Sequence, residues 1–135
     1  MARDSLSTLL RMRRMAMDEA RRSLAACQDA EDAAARHVSA MEARIWGEMA
    51  IPRLTERDAF ALWLNNARAV LDSARSAFDA AQRRTASARA ALSEARLAAE
   101  SLERLLEERR AARIAEALRD EQRELDEVGR FQTIG

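Results

Sequence analysis

The sequence is short of almost everything that a globular fold or an enzyme requires. Its 135 residues include three Gly, one Pro, one Cys, one His, two Trp, three Phe and no Tyr. So few turn-forming residues leave room for one break in the chain, not for the many turns of a sandwich or an α/β fold. Scarce aromatics argue against a thick core. The single cysteine, Cys27, excludes an internal disulfide and fits a reducing compartment. The 23 basic and 23 acidic residues cancel, so no net field draws the chain to nucleic acid or inserts it into an anionic membrane surface. Every basic residue is Arg, a choice that codon usage explains without special chemistry. The longest apolar run, AFALWL at 59–64, is far short of the roughly 20 residues of a membrane span. The opening MARDSLSTLLRMRRM is broken by charge and has no secretory core, and Asp18 and Glu19 argue against a transit peptide.

What the chain does have is Ala, Leu, Arg, Asp and Glu, the profile of long helices or coiled coils. The expected class is all-α. Steps of four and three from the start give Leu6, Leu10, Arg13, Met17, Ala20, Leu24, Cys27, Glu31, Ala34, Val38, Met41 and Ile45. Nearly all are apolar or small, which is a heptad seam that keeps one face against a partner. Asp4 or Ser5 can cap this first helix, expected over 5–46. A tip loop over 47–55 follows, with Gly47 freeing the backbone and Pro52 breaking the hydrogen-bond ladder. Thr55 and Asp58 have the spacing of a helix start. The second helix, expected over 56–128, repeats the seam as Phe60, Leu64, Ala67, Leu71, Ala74, Phe78, Ala81, Thr85, Ala88, Leu92, Ala95, Ala99, Leu102 and Leu106. A strict continuation lands on Arg109 and Arg113. The apolar stripe resumes one residue out of phase as Ile114, Leu118, Glu121, Leu125 and Val128, a slip that rotates it away from its earlier partner. Gly129 is expected to stop the helix and leave a disordered tail over 129–135.

One short break between two heptad helices favours a single-domain antiparallel coiled-coil hairpin. At 1.5 Å per residue the helices are about 63 and about 110 Å long, so the C-terminal helix overhangs. Folding back from the loop sets residue 5 opposite a residue near 97. The overhang includes EERRAARIAEALRDEQRELDEV (107–128), in which thirteen of twenty-two residues are charged. Favourable and like-charge neighbours there roughly cancel at about 0.2–0.5 kcal/mol each, so charge alone does not hold this helix. With its own stripe it reads better as a protein-docking surface than as a solvated tail.

Catalysis finds little material. Cys27 and His37 stand ten residues apart on one helix, about 15 Å, too far to act as nucleophile and base. No Gly-rich loop, metal cluster or cofactor motif is present, so an enzyme is not expected. Trp46, Met49, Ile51, Phe60, Leu62, Trp63 and Leu64 collect around the tip, more apolar bulk than a two-helix seam requires. They form either a folded-back cluster or an exposed docking patch. By residues alone, a coiled-coil scaffold, a dimeric adaptor or a secretion chaperone for one client all remain open.

The order SLSTLLRMRRMAMDEARRSLAACQDAE, break, AFALWLNNARAVLDSAR, then SLERLLEERR and RDEQRELDEV resembles the FliJ family of flagellar export proteins and its type III secretion relatives of the YscO kind. The resemblance covers most of the chain. It implies a cytoplasmic, non-enzymatic coiled coil similar to the central stalk of rotary ATPases, peripherally associated with the membrane-bound export apparatus. It implies binding to the export ATPase hexamer, to the export-gate membrane protein and to escort chaperones. Carried onto this sequence, the gate-facing tip patch falls on Phe60, Leu64, Ala67 and Leu71, beside Trp63. The first-helix half falls on His37, Ala40 and Arg44, where the family's bulkier residues are missing. The ATPase-facing overhang falls on Arg109, Arg110, Arg113, Ile114, Leu118, Arg119, Gln122 and Leu125. One conflict follows. The heptad frame buries Phe60 and Leu64 in the seam, whereas the resemblance exposes them and hands the seam to Trp63 and Val70.

Overall fold

A computed structural model describes residues 2–50 and 57–134, and every described residue except Ala50 is helical. Helix α1 runs Ala2–Met49 and helix α2 runs Arg57–Ile134. Both are longer than expected. The α1 helix starts ahead of Asp4 and Ser5, which therefore lie inside its first turns and not at its cap. It also continues through Gly47 to Met49, and the Ala50 amide still donates to the Trp46 carbonyl at 3.1 Å. The α2 helix passes through Gly129 to Ile134, so the expected stop at Gly129 is not observed. A helical glycine costs about 1 kcal/mol relative to alanine, which flanking helix formers can absorb. Neither Gly47 nor Gly129 has a positive φ. Asp58 sits in the first turn of α2, where the helix dipole favours an acid. Pro52 and the Thr55 cap lie outside the described residues.

The helices contribute to two compact units, an inner one of Ala16–Glu94 and a terminal one of Met1–Met15 with Ala95–Gly135. In the inner unit the two helical stretches are antiparallel. Arg75 pairs with Glu42 at 3.0 Å, and further along α2 the Thr85 hydroxyl donates to the Cys27 carbonyl at 3.3 Å. Its core is thin and rich in small residues: Ala74, Ala81 and Ala88 are buried, with Ile45, Ala67 and Leu71 forming the larger cluster. Val38, Met41, Trp63 and Leu64 pack against that cluster. Alanine buries little area per residue but lets the backbones approach closely. That closeness explains the one buried polar side chain among the described residues, Thr85, 2% exposed. Its hydroxyl also lies 3.1 Å from the Ala81 carbonyl, so the buried group is satisfied within its own helix as well as across it.

In the terminal unit Leu6, Leu10 and Leu106 are half-buried, and Ala99 and Leu102 are buried. Arg13, at a seam position, is exposed. The register is shown by Arg14, whose guanidinium meets the Glu103 carboxylate through Nη2 at 3.0 Å and through Nε at 3.3 Å. This corrects the expected pairing. A fold-back centred on the loop puts residue 14 near residue 88, about two heptads short of Glu103. A heptad seam slides by seven residues without losing its apolar face, so the pattern alone does not choose among such registers.

Candidate protein-docking surfaces

The seam positions read from the heptad steps are buried or half-buried in both units, Arg13 excepted. This settles the conflict at residues 60–71. Ala67 and Leu71 are each 8% exposed, Phe60 and Leu64 are half-buried, and Val70 is the exposed one, at 48%. Trp63 is half-buried and stacks on Phe60, with ring centroids 5.9 Å apart. The heptad frame therefore describes the packing, and the alternative seam through Val70 does not. As a consequence Ala67 and Leu71 are not available to a partner while the two helices are together. His37, Ala40 and Arg44 are all exposed. The exposed large apolar side chains in these stretches of α1 and α2 are Trp46, 70% exposed, with Met49, Leu62 and Val70. Sequence reading found Trp46, Met49 and Leu62 in the tip cluster but could not tell their exposure, because seam and flank alternate within one helical turn.

The second surface belongs to the terminal unit. An open groove of about 300 Å³ between the two helical stretches of this unit is lined by Leu10, Arg14, Glu103, Leu106, Glu107 and Arg110. Every described residue from Glu107 to Gln132 is exposed. Arg109, Arg110, Arg113, Ile114, Leu118, Arg119, Gln122 and Leu125 are all among them. The stripe is bare, with Leu118 60% and Leu125 66% exposed beside Ile114 and Val128. Phe131 adds a further exposed ring, outside the stripe expected from the sequence because that stripe ends at Gly129.

Electrostatically this stretch has two bands. Arg109, Arg110, Arg113 and Arg119 against Glu116 leave residues 109–119 at +3. Asp120, Glu121, Glu124, Asp126 and Glu127 against Arg123 leave residues 120–127 at −4. Internal neutralisation is slight. Arg123 reaches Asp120 at 3.7 Å, and Gln122 donates to Asp126 at 3.3 Å. Arg113 and Arg119 donate to the carbonyls of Arg109 and Ala115 one turn back, each at 3.4 Å. Arginine bonded to a carbonyl keeps its charge uncompensated.

Among the described residues, no cluster of His, Cys, Asp or Glu is arranged to hold a metal, and no helix is long and apolar enough to cross a membrane. Two helices, a zipper of small residues and an exposed helical end define a coiled-coil hairpin. The family described as Flagellar FliJ protein matches residues 1–135, the whole chain. The chain belongs to that family, whose members are components of the flagellar export apparatus. No curated protein and no solved structure matches it.

Proposed function

We propose that the chain acts as a stalk of the export apparatus, by binding and not by chemistry. The overhang past about residue 110 enters the ring of the export ATPase hexamer. The tip around Trp46, Met49 and Leu62 meets the export-gate membrane protein, and escort chaperones deliver substrates by way of the same chain. In this reading it works in the cytoplasm at the face of the membrane-bound apparatus. The observation that carries the proposal is the exposure of every described residue from Glu107 to Gln132 in a member of this family. A single helix exposed around its whole circumference suits a surrounding partner, and mixed charge lets it meet several subunits without fixing on one.

The test is reconstitution with the cognate ATPase. The full chain promotes ring assembly and hydrolysis, and truncation after Leu106 removes the effect while the paired helices keep their melting behaviour. Stimulation that survives the truncation overturns the assignment of the overhang. For the tip, Trp46→Ala with Leu62→Ala weakens capture by the gate protein's cytoplasmic portion and leaves ATPase stimulation intact.

A further inference from the structure

On α2 the inner seam repeats itself every seven residues. Ala67, Ala74, Ala81 and Ala88 are all buried, so a slide of α1 by one heptad puts alanine where alanine was. Two polar contacts repeat in the same way. Thr85 donates to the Cys27 carbonyl, a backbone acceptor that the Ala20 carbonyl replaces after a slide of one heptad toward the tip. Its contact with the Ala81 carbonyl lies within α2 and is kept throughout. Glu42 pairs with Arg75 at 3.0 Å, and the exposed Arg68 stands one heptad earlier to receive it. From these three repeats we infer that the hairpin has a second register, with α1 moved about 10 Å toward the tip, and that the Arg14–Glu103 pair latches the present one.

Charge and the connection between the helices set the direction. The opposite slide would bring Glu42 level with Gln82, which offers no cation. It would also carry Met49 further along α2 from Arg57, whereas the slide toward the tip brings those two helix ends closer.

The registers differ at their ends. Because α1 is one uninterrupted helix, both units take the same step. Toward the tip Ile45, now packed with Ala67 and Leu71, moves to the level of Phe60 and Leu64, which are half-buried and gain cover. In the terminal unit the first turns of α1 withdraw from Leu102 and Leu106, adding one heptad to the exposed part of α2. Two large apolar side chains are covered at one end as two are uncovered at the other, so apolar burial leaves the registers close in free energy. Charge then decides between them. Arg14, held by Glu103 through two hydrogen bonds, would come level with Arg96, and attraction would become repulsion. A protein that grips α2 from Leu102 onward binds the second register better and draws the chain into it.

The purified full-length chain, with no partner present, is the material for the test. Spin labels at Ala26→Cys and Ala61→Cys in a Cys27→Ala background report the register as a distance, since both sites are exposed and lie in the inner unit. Pulsed dipolar spectroscopy is expected to show a main distance and a minor one about 10 Å shorter. Exchanging two charges, Arg96→Glu with Glu103→Arg, gives Arg14 its carboxylate only in the second register. The shorter population should then rise about tenfold relative to the longer. Arg75→Glu leaves Glu42 only Arg68 and should raise it about threefold, whereas Arg68→Glu should lower it. Each of these positions is exposed, so helical content is kept. Growth of the shorter distance in the exchanged chain supports the second register. A single unchanged distance there, or broadening without a shorter peak, overturns it. Neither outcome bears on the ATPase reading, which is tested with that partner present.

Discussion

The inner seam and the α2 overhang invert the usual expectation about size and burial. The inner seam is lined largely by alanine, with Ala74, Ala81 and Ala88 buried. The overhang displays Ile114, Leu118, Leu125 and Val128, all larger and all exposed. Apolar bulk does not decide which stripe is covered; the presence of a second helix does. Where α1 accompanies α2, even a methyl group is removed from water. Past Leu106 every described residue up to Gln132 is exposed, and a better stripe stands bare. The difference teaches that the stable part of the chain depends on closeness and the free part on exposed side chains, which is a sensible division for a protein that must stay paired and still bind.

The comparison is broken most severely by cutting a large seam residue. Leu71→Ala or Ile45→Ala should cost about 2–4 kcal/mol, because the inner core has few large side chains to close the gap. Urea unfolding followed by helical circular dichroism measures it. Next comes the opposite change. Ala99→Leu forces bulk into a site that is 2% exposed and should destabilise by about 1–3 kcal/mol, by spreading the helices. A smaller loss, about 1 kcal/mol, is expected for Thr85→Ala, which removes the hydroxyl bonded to the Cys27 carbonyl. The exposed pairs rank below these. A double-mutant cycle on Glu42 and Arg75 should return a coupling of about 0.2–1 kcal/mol that fades with added salt. At the far end Leu125→Ala should leave unfolding of the monomer within about 0.5 kcal/mol. A loss at Leu125 as large as that at Leu71 would show that the overhang is not bare in solution, and the contrast between the regions would fail.

Much of this arrangement was legible beforehand. The steps of four and three picked out Phe60, Leu64, Ala67 and Leu71 as seam, and these are the residues that turn inward. The phase slip after Leu106 marked where the covered face ends. Other features were not legible, for separate reasons. Gly47 and Gly129 looked like stops, yet a single glycine is a modest penalty inside a long run of helix formers. The tip patch carried over from the resemblance placed Ala67 and Leu71 on a docking face, but their packing against Ile45 removes them from it. Exposure of Trp46 at the same end depends on which side of α1 the partner helix lies, which composition does not encode.

The sequence by itself determined that the chain is helical, that it breaks once, which face of each helix is apolar and where that face slips. Those are local properties, set by propensity and by period. Only the tertiary structure decided the register: Arg14 against Glu103 in the terminal unit, and Glu42 against Arg75 with Cys27 against Thr85 in the inner one. A periodic seam is nearly unchanged by a slide of seven residues, so the repeat alone does not choose among the alternatives. That choice fixes where α1 stops accompanying α2, and so how much of α2 is left for another protein to hold.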